Sequence, residues 1–127
     1  MMRVLIVEPG KAPYEREIGA SLADMQAVVG GTIQAVYPFE EPVALVCNDE
    51  GKLLGMTPNR ALYMENIPYD VIAGTFLLCG APADSDGFTS LSNKQVLHFQ
   101  ERFRYPERFI RINGNIFCLR EAMMDAE

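Results

Sequence analysis

The chain has 127 residues, 49% of them hydrophobic and 22% charged, enough for one domain with a real core and too few for two. Its formal charge of −6, from 17 acidic and 11 basic residues, argues against a general nucleic-acid binder, which needs a basic footprint to displace counterions from phosphates. Ten glycines and eight prolines exclude a coiled coil, and no apolar run approaches the roughly 18 residues of a membrane span.

Met2 to Glu8 reads as a first strand, β-branched, unbroken and stopped by Pro9-Gly10. Lys11 to Gly19 follows as a polar connection, extended in part because Pro13 disfavours helix in the residue before it. Ser21 is an N-cap with Asp24 three residues on, and Leu22, Met25, Val28 and Val29 then share one helical face. Gly30-Gly31 ends that helix. Thr32–Tyr37 and Val43–Asn48 are the next strands, joined by the acidic linker Phe39-Glu40-Glu41 between Pro38 and Pro42. Asn48 to Gly51 is a turn, and Lys52 to Met56 a short return strand. Thr57-Pro58-Asn59-Arg60 reads as a polar corner, after which Ala61 to Met64 starts a helical turn. Tyr69 to Cys79, the most apolar stretch, is expected to be a central strand in which Gly74 marks a bulge or a close backbone approach.

Ala81 to Phe88 is a loop by composition. Ser92 and Gln95 have the spacing of a capping box, and Leu91 with Val96 that of a hydrophobic staple, so a second helix opens at Ser92. Val96, Phe99 and Phe103 form its apolar face, and Pro106 stops it. Asn113-Gly114, a favoured two-residue hairpin turn, centres a C-terminal hairpin over 108–120. The architecture implied is α+β: a mostly antiparallel sheet with two main helices packed on it, in a single domain spanning 1–127.

Cys47, Cys79 and Cys118 are odd in number, far apart and set in apolar runs, without metal-ligand spacing. They read as buried free thiols of a reducing compartment, which with the absence of a signal-peptide pattern points to the cytoplasm. His98 is the only histidine, so a histidine-pair metal site is excluded, and its place in the second helix is that of a boundary residue. No P-loop and no GxGxxG occurs. Glu40, Glu41, Asp49, Glu50, Asp84 and Asp86 cluster in turns, where acids ordinarily sit in water, and they lack EF-hand spacing. No catalytic residue, metal or cofactor is therefore assigned.

Two surfaces stand out. Arg102, Arg104, Arg108 and Arg111 interleave with Phe99, Phe103, Tyr105 and Phe109, and guanidinium forks beside aromatic faces suit phosphates, bases or acidic protein surfaces. The plainer alternative is that the aromatics are core and the arginines a solvated face. The corner at Asn59 and Arg60 is the second, with Arg60 as an anion clamp and Asn59 as donor and acceptor, or as a turn residue.

LADMQAVVGGTIQAVYPF (Leu22 to Phe39), VALVCNDEGKLLGMTPNRAL (Val43 to Leu62), DVIAGTFLLCG (Asp70 to Gly80) and LSNKQVLHFQERF (Leu91 to Phe103) resemble, in this order, the DUF3846 family. The resemblance covers most of the chain and is carried by the combination of VGG, NDEGKLLG-x-x-PNRAL and GTFLLCG. It implies an accessory protein of phage, plasmid or other mobile elements in bacteria, with no catalytic residues to carry over. Its pattern draws attention to Asn48, Gly51, Lys52, Pro58, Asn59 and Arg60, of which Asn59 and Arg60 are the expected surface residues. The first functional expectation is a non-enzymatic binding module contacting a host or element-encoded protein, with regulatory or anti-defence consequences. The alternative is a protein that binds or sequesters a small, nucleotide-like anion, at an oligomer interface of the chain with itself. A metal-dependent hydrolase ranks third and direct nucleic-acid binding last.

Overall fold

The computed structural model describes residues 1–119. The chain runs β1 (Met2–Val7), β2 (Tyr14–Ile18), α1 (Leu22–Val29), β3 (Ile33–Val36), β4 (Val43–Asn48), β5 (Pro58–Met64), β6 (Ile67–Ala73), β7 (Phe76–Gly80), α2 (Asn93–Arg102), β8 (Arg108–Ile112) and β9 (Asn115–Leu119). A five-stranded antiparallel sheet, ordered β2-β1-β7-β4-β3, is accompanied by two hairpins, β5-β6 and β8-β9. This is an α+β fold dominated by sheet.

The near-continuous apolar runs of β1, β4 and β7 fit a sheet covered on both faces rather than one with a wet side. Leu5, Val7, Leu45, Phe76 and Leu78 face one way and meet Phe99 and Phe103 at the end of α2, together with Leu62 and Ile72 of β5-β6. Val4, Ile6, Ala44, Val46 and Leu77 face the other way and meet Met25 of α1. Strand alternation thus divides each run between two cores.

Both helices begin as their sequences dictate. The Ser21 hydroxyl accepts from the Asp24 N–H at 3.1 Å, and the Ser92 hydroxyl from the Gln95 N–H at 3.1 Å. Each box is reciprocal, because the Asp24 and Gln95 side chains bond back to the cap N–H groups. Leu91 and Val96 are buried in one cluster, as a hydrophobic staple requires. Leu22 was expected on the inward face of α1 but is exposed, leaving Met25 and Val29 as its buried residues.

The middle of the chain departs from expectation. Tyr14–Ile18 is a strand rather than a connection, and its outward Glu15, Arg16 and Glu17 suit the edge that it forms. Residues 52–56 are not a strand: Leu54 N–H bonds to Glu50 O and Met56 N–H to Gly51 O, both at 2.9 Å, closing a compact turn. The corner and the helical turn beyond it are instead one strand, β5. The run Tyr69 to Cys79 is cut in two at Gly74 (φ 86°), so β6 leaves the central sheet to pair with β5. A β-carbon at Gly74 would stand 2.7 Å from Met56 Sδ, so this is the close approach the sequence flagged.

The hairpin at Asn113-Gly114 forms in the expected place, with φ of 52° and 83° at the turn and Ile110 opposite Phe117. Among the described residues it pairs with no strand of the main sheet. Position 120, the last of the expected hairpin, lies outside the described residues.

Candidate functional site

Asn59 and Arg60, expected at the surface, are interior: their exposures are 1% and 0%. The cause is local. The β5-β6 register shifts between Pro58 and Arg60, and this bulge lets two consecutive side chains both turn inward. Asn59 Nδ2 donates to Val7 O at 2.8 Å and to Gly74 O at 2.9 Å, tying the end of β1 to the break between β6 and β7. Its Oδ1 accepts from Arg60 Nη1 at 2.7 Å.

The Arg60 guanidinium reaches further. Nε and Nη2 both donate to Phe103 O, at 3.3 and 2.9 Å, and Nη2 also donates to Lys11 O at 2.7 Å. Nη1 completes the set on Asn59 O at 3.2 Å. Burial pulls the Arg60 pKa below its ordinary value and the nearby Glu107 carboxylate opposes that shift, yet an arginine so placed stays charged. Its donors are spent on backbone carbonyls and Asn59, so Arg60 is an internal tie from β5 to the end of α2. The anion-clamp expectation is corrected to that extent.

The remaining candidates, Arg102, Arg104, Tyr105, Arg108 and Arg111, are all exposed. Arg102 leaves α2 to lie over the Phe39 ring, 4.9 Å from its centroid. Arg104 stacks on Tyr105 at 5.3 Å and meets Glu101 at 3.6 Å. Arg108 and Arg111 stand on β8. Arg102 lines a cleft of about 410 Å³ between α2 and β5, whereas Arg111 lines another of about 420 Å³ with Pro9, Gly10 and Pro58. The arginines therefore flank one segment without converging on one pocket.

His98 is half exposed and pairs with Glu41 at 2.9 Å, consistent with the boundary position read from the sequence. Cys47 and Cys79 are buried, and burial pushes the Cys79 thiol up to about 12. Cys47 is also raised, by burial and then by the charges of Asp70 and Asp49. Cys118, expected in the core, is only half-buried.

The residues that sequence reasoning missed are those that dock the hairpin. Glu107 Oε1 accepts from Ala61 N–H at 3.1 Å, from the Tyr63 hydroxyl at 3.3 Å and from Cys118 Sγ at 2.7 Å. One carboxylate thus joins β5 to β9. No spacing signal marks the cluster, because its members lie 44 and 11 residues apart. The outer hairpin face was legible in principle: alternation in RFIRI and NIFCL places Ile110, Ile112, Phe117 and Leu119 together, and all four are 41–51% exposed.

The segment 104–119 is thereby an arm with its own character. It carries three arginines against one glutamate, while residues 1–103 carry 7 basic and 13 acidic side chains. The model of a family described as a domain of unknown function, DUF3846, matches residues 2–104. The chain belongs to the DUF3846 family. All but the first residue of the arm lies beyond the matched span, which ends where α2 gives way to it. No curated protein and no solved structure matches the chain. Among the described residues no helix is long and apolar enough to cross a membrane.

Proposed function

We propose that this DUF3846 protein is a non-enzymatic binding module of a mobile genetic element, which engages a host or element-encoded protein through its C-terminal arm. The observation that carries this reading is the contrast between an acidic domain and a basic arm with an apolar outer face. Arginine and tyrosine dominate binding hot spots, and here the stacked Arg104-Tyr105 pair leads directly into Arg108 and Ile110. An apolar strand face rimmed by charge is the surface signature of an interaction site. The partner it fits presents acidic side chains around an apolar patch, and a regulatory or anti-defence role for such capture accords with the mobile-element setting that the family resemblance implies. The small-anion alternative loses Arg60 and keeps its best place at Arg111, in the cleft beside Gly10.

Affinity capture from bacterial lysate tests the reading. The wild-type chain should retain a defined protein partner, and the Arg104→Glu/Arg108→Glu variant should lose it while melting at the same temperature. Retention of the same partner by both proteins would refute the arm as the contact.

A further inference from the structure

The docked hairpin leaves an open strand edge beside the body of the protein. Asn113-Gly114 closes a two-residue turn, so Ile112 and Asn115 exchange hydrogen bonds, and Ile110 with Phe117 does likewise. Alternation then turns the N–H and C=O groups of Phe109 and Arg111 away from β9, and among the described residues no other backbone group bonds to them. That edge borders a cleft of about 420 Å³ whose other wall is Pro9, Gly10, Thr57 and Pro58. The wall cannot complete the ladder. Two of its residues are prolines without an N–H, and Thr57 O already accepts from Gly74 N–H at 2.8 Å.

The charge of the cleft selects what enters it. Arg111 makes no ion pair or hydrogen bond among the described residues, so its guanidinium stands ready for a carboxylate. Glu107, the acid on the wall, has its Oε1 committed to Ala61, Tyr63 and Cys118. Phe109, Ile110 and Ile116 supply apolar surface beside Arg111. A space of this volume along a strand edge admits an extended segment, whereas a second folded copy would have to bring its own body against Pro9 and Pro58. We propose that the partner engaged by the arm enters as an extended segment, adding antiparallel to β8 as a third strand of the hairpin. This deepens the reading of the arm as the contact surface and rests on it. Residues opposite one another in such a pair share a face, which fixes the chemistry of the segment. It carries an acidic residue beside Arg111, an apolar residue two positions on beside Phe109, and outward apolar residues beside Ile110 and Ile112.

A displayed library of random dodecapeptides, selected on the immobilised full chain, supplies the probe. The expected winners alternate apolar residues with an acid, and the best of them, synthesised, should bind Arg111→Glu about tenfold or more weakly than the wild type. Arg111 is exposed, so the variant should keep its circular dichroism and melting temperature. Amide hydrogen exchange of the complex reads the backbone. Exchange at Phe109 and Arg111 should slow at least tenfold on binding, while Ile110 and Ile112, already bonded within the hairpin, change little. A library without a binder would overturn the proposal. So would peptides that Arg111→Glu holds equally well, or binding that leaves exchange at Phe109 and Arg111 unchanged. The arm reading fails separately: it falls if lysate capture is indifferent to Arg104→Glu/Arg108→Glu, and it survives if that capture is lost although no peptide enters the cleft.

Discussion

Arg60→Met removes the guanidinium that joins β5 to the end of α2 while keeping an unbranched side chain of similar length. Five hydrogen bonds disappear; the buried acceptors Phe103 O and Asn59 Oδ1 and the partly buried Lys11 O lose this donor. Each buried acceptor left unsatisfied costs roughly 1–3 kcal/mol. Against this stands the several kcal/mol recovered by no longer desolvating a charge that has no carboxylate within ion-pair distance among the described residues. The net expectation is a loss of about 3 kcal/mol, or on the order of 10 °C in melting temperature for a domain of this size. Urea unfolding followed by circular dichroism measures it, with the slope expected to stay constant. Arg102→Met is the control: that arginine is exposed, and its contact with Phe39 is worth about 0.5–1 kcal/mol. Arg60→Met unfolding at the same urea concentration as Arg102→Met would refute the reasoning, because the buried fork would then hold nothing together.

Gly74→Ala forces a β-carbon into a left-handed residue and against Met56, and should cost about 1–2 kcal/mol in the same urea assay. Ser92→Ala removes the cap of α2 and should cost about 1 kcal/mol, with Gln95→Ala adding less than its separate effect because the two share one box. Cys47 and Cys79 should resist iodoacetamide at pH 8 in the native protein and react once urea unfolds it, as read by mass shift. Alkali should destabilise the fold through Cys79. Its folded pKa of about 12 lies above the unfolded value near 9, so between those values the unfolded chain releases a proton that the folded chain keeps. Stability should therefore fall as pH rises through 9, and less so in Cys79→Ala when each is compared with its own value at pH 8.

Local chemistry explains what was legible in the sequence. Ser21 with Asp24, Ser92 with Gln95, and Asn113-Gly114 are short-range devices whose partners lie within three residues, and each formed where its spacing placed it. The continuous apolar strands announced themselves by composition. The β5-β6 hairpin did not, because its turn is Glu65-Asn66, both at positive φ without a glycine, and its first strand begins with the turn-forming Pro58-Asn59. The edge strand β2 was hidden by its charge, which is what an edge needs. Asn59 and Arg60 look like surface residues by type. The carbonyls of Val7 and Lys11, of Gly74 and of Phe103, brought from three distant parts of the chain, make their burial tolerable. The candidate site was half legible: the basic, aromatic segment was visible as a pattern, whereas its docking through Glu107 depends on contacts that no local spacing encodes.

The most direct test of the account is a footprint of the complex recovered by affinity capture, comparing side-chain labelling of the free and bound chain. The account predicts protection concentrated at Tyr105, Arg104, Arg108 and Ile110, with Asn59 and Arg60 inaccessible in both states. Protection confined to residues 1–103, with the arm labelled equally in both states, would contradict it.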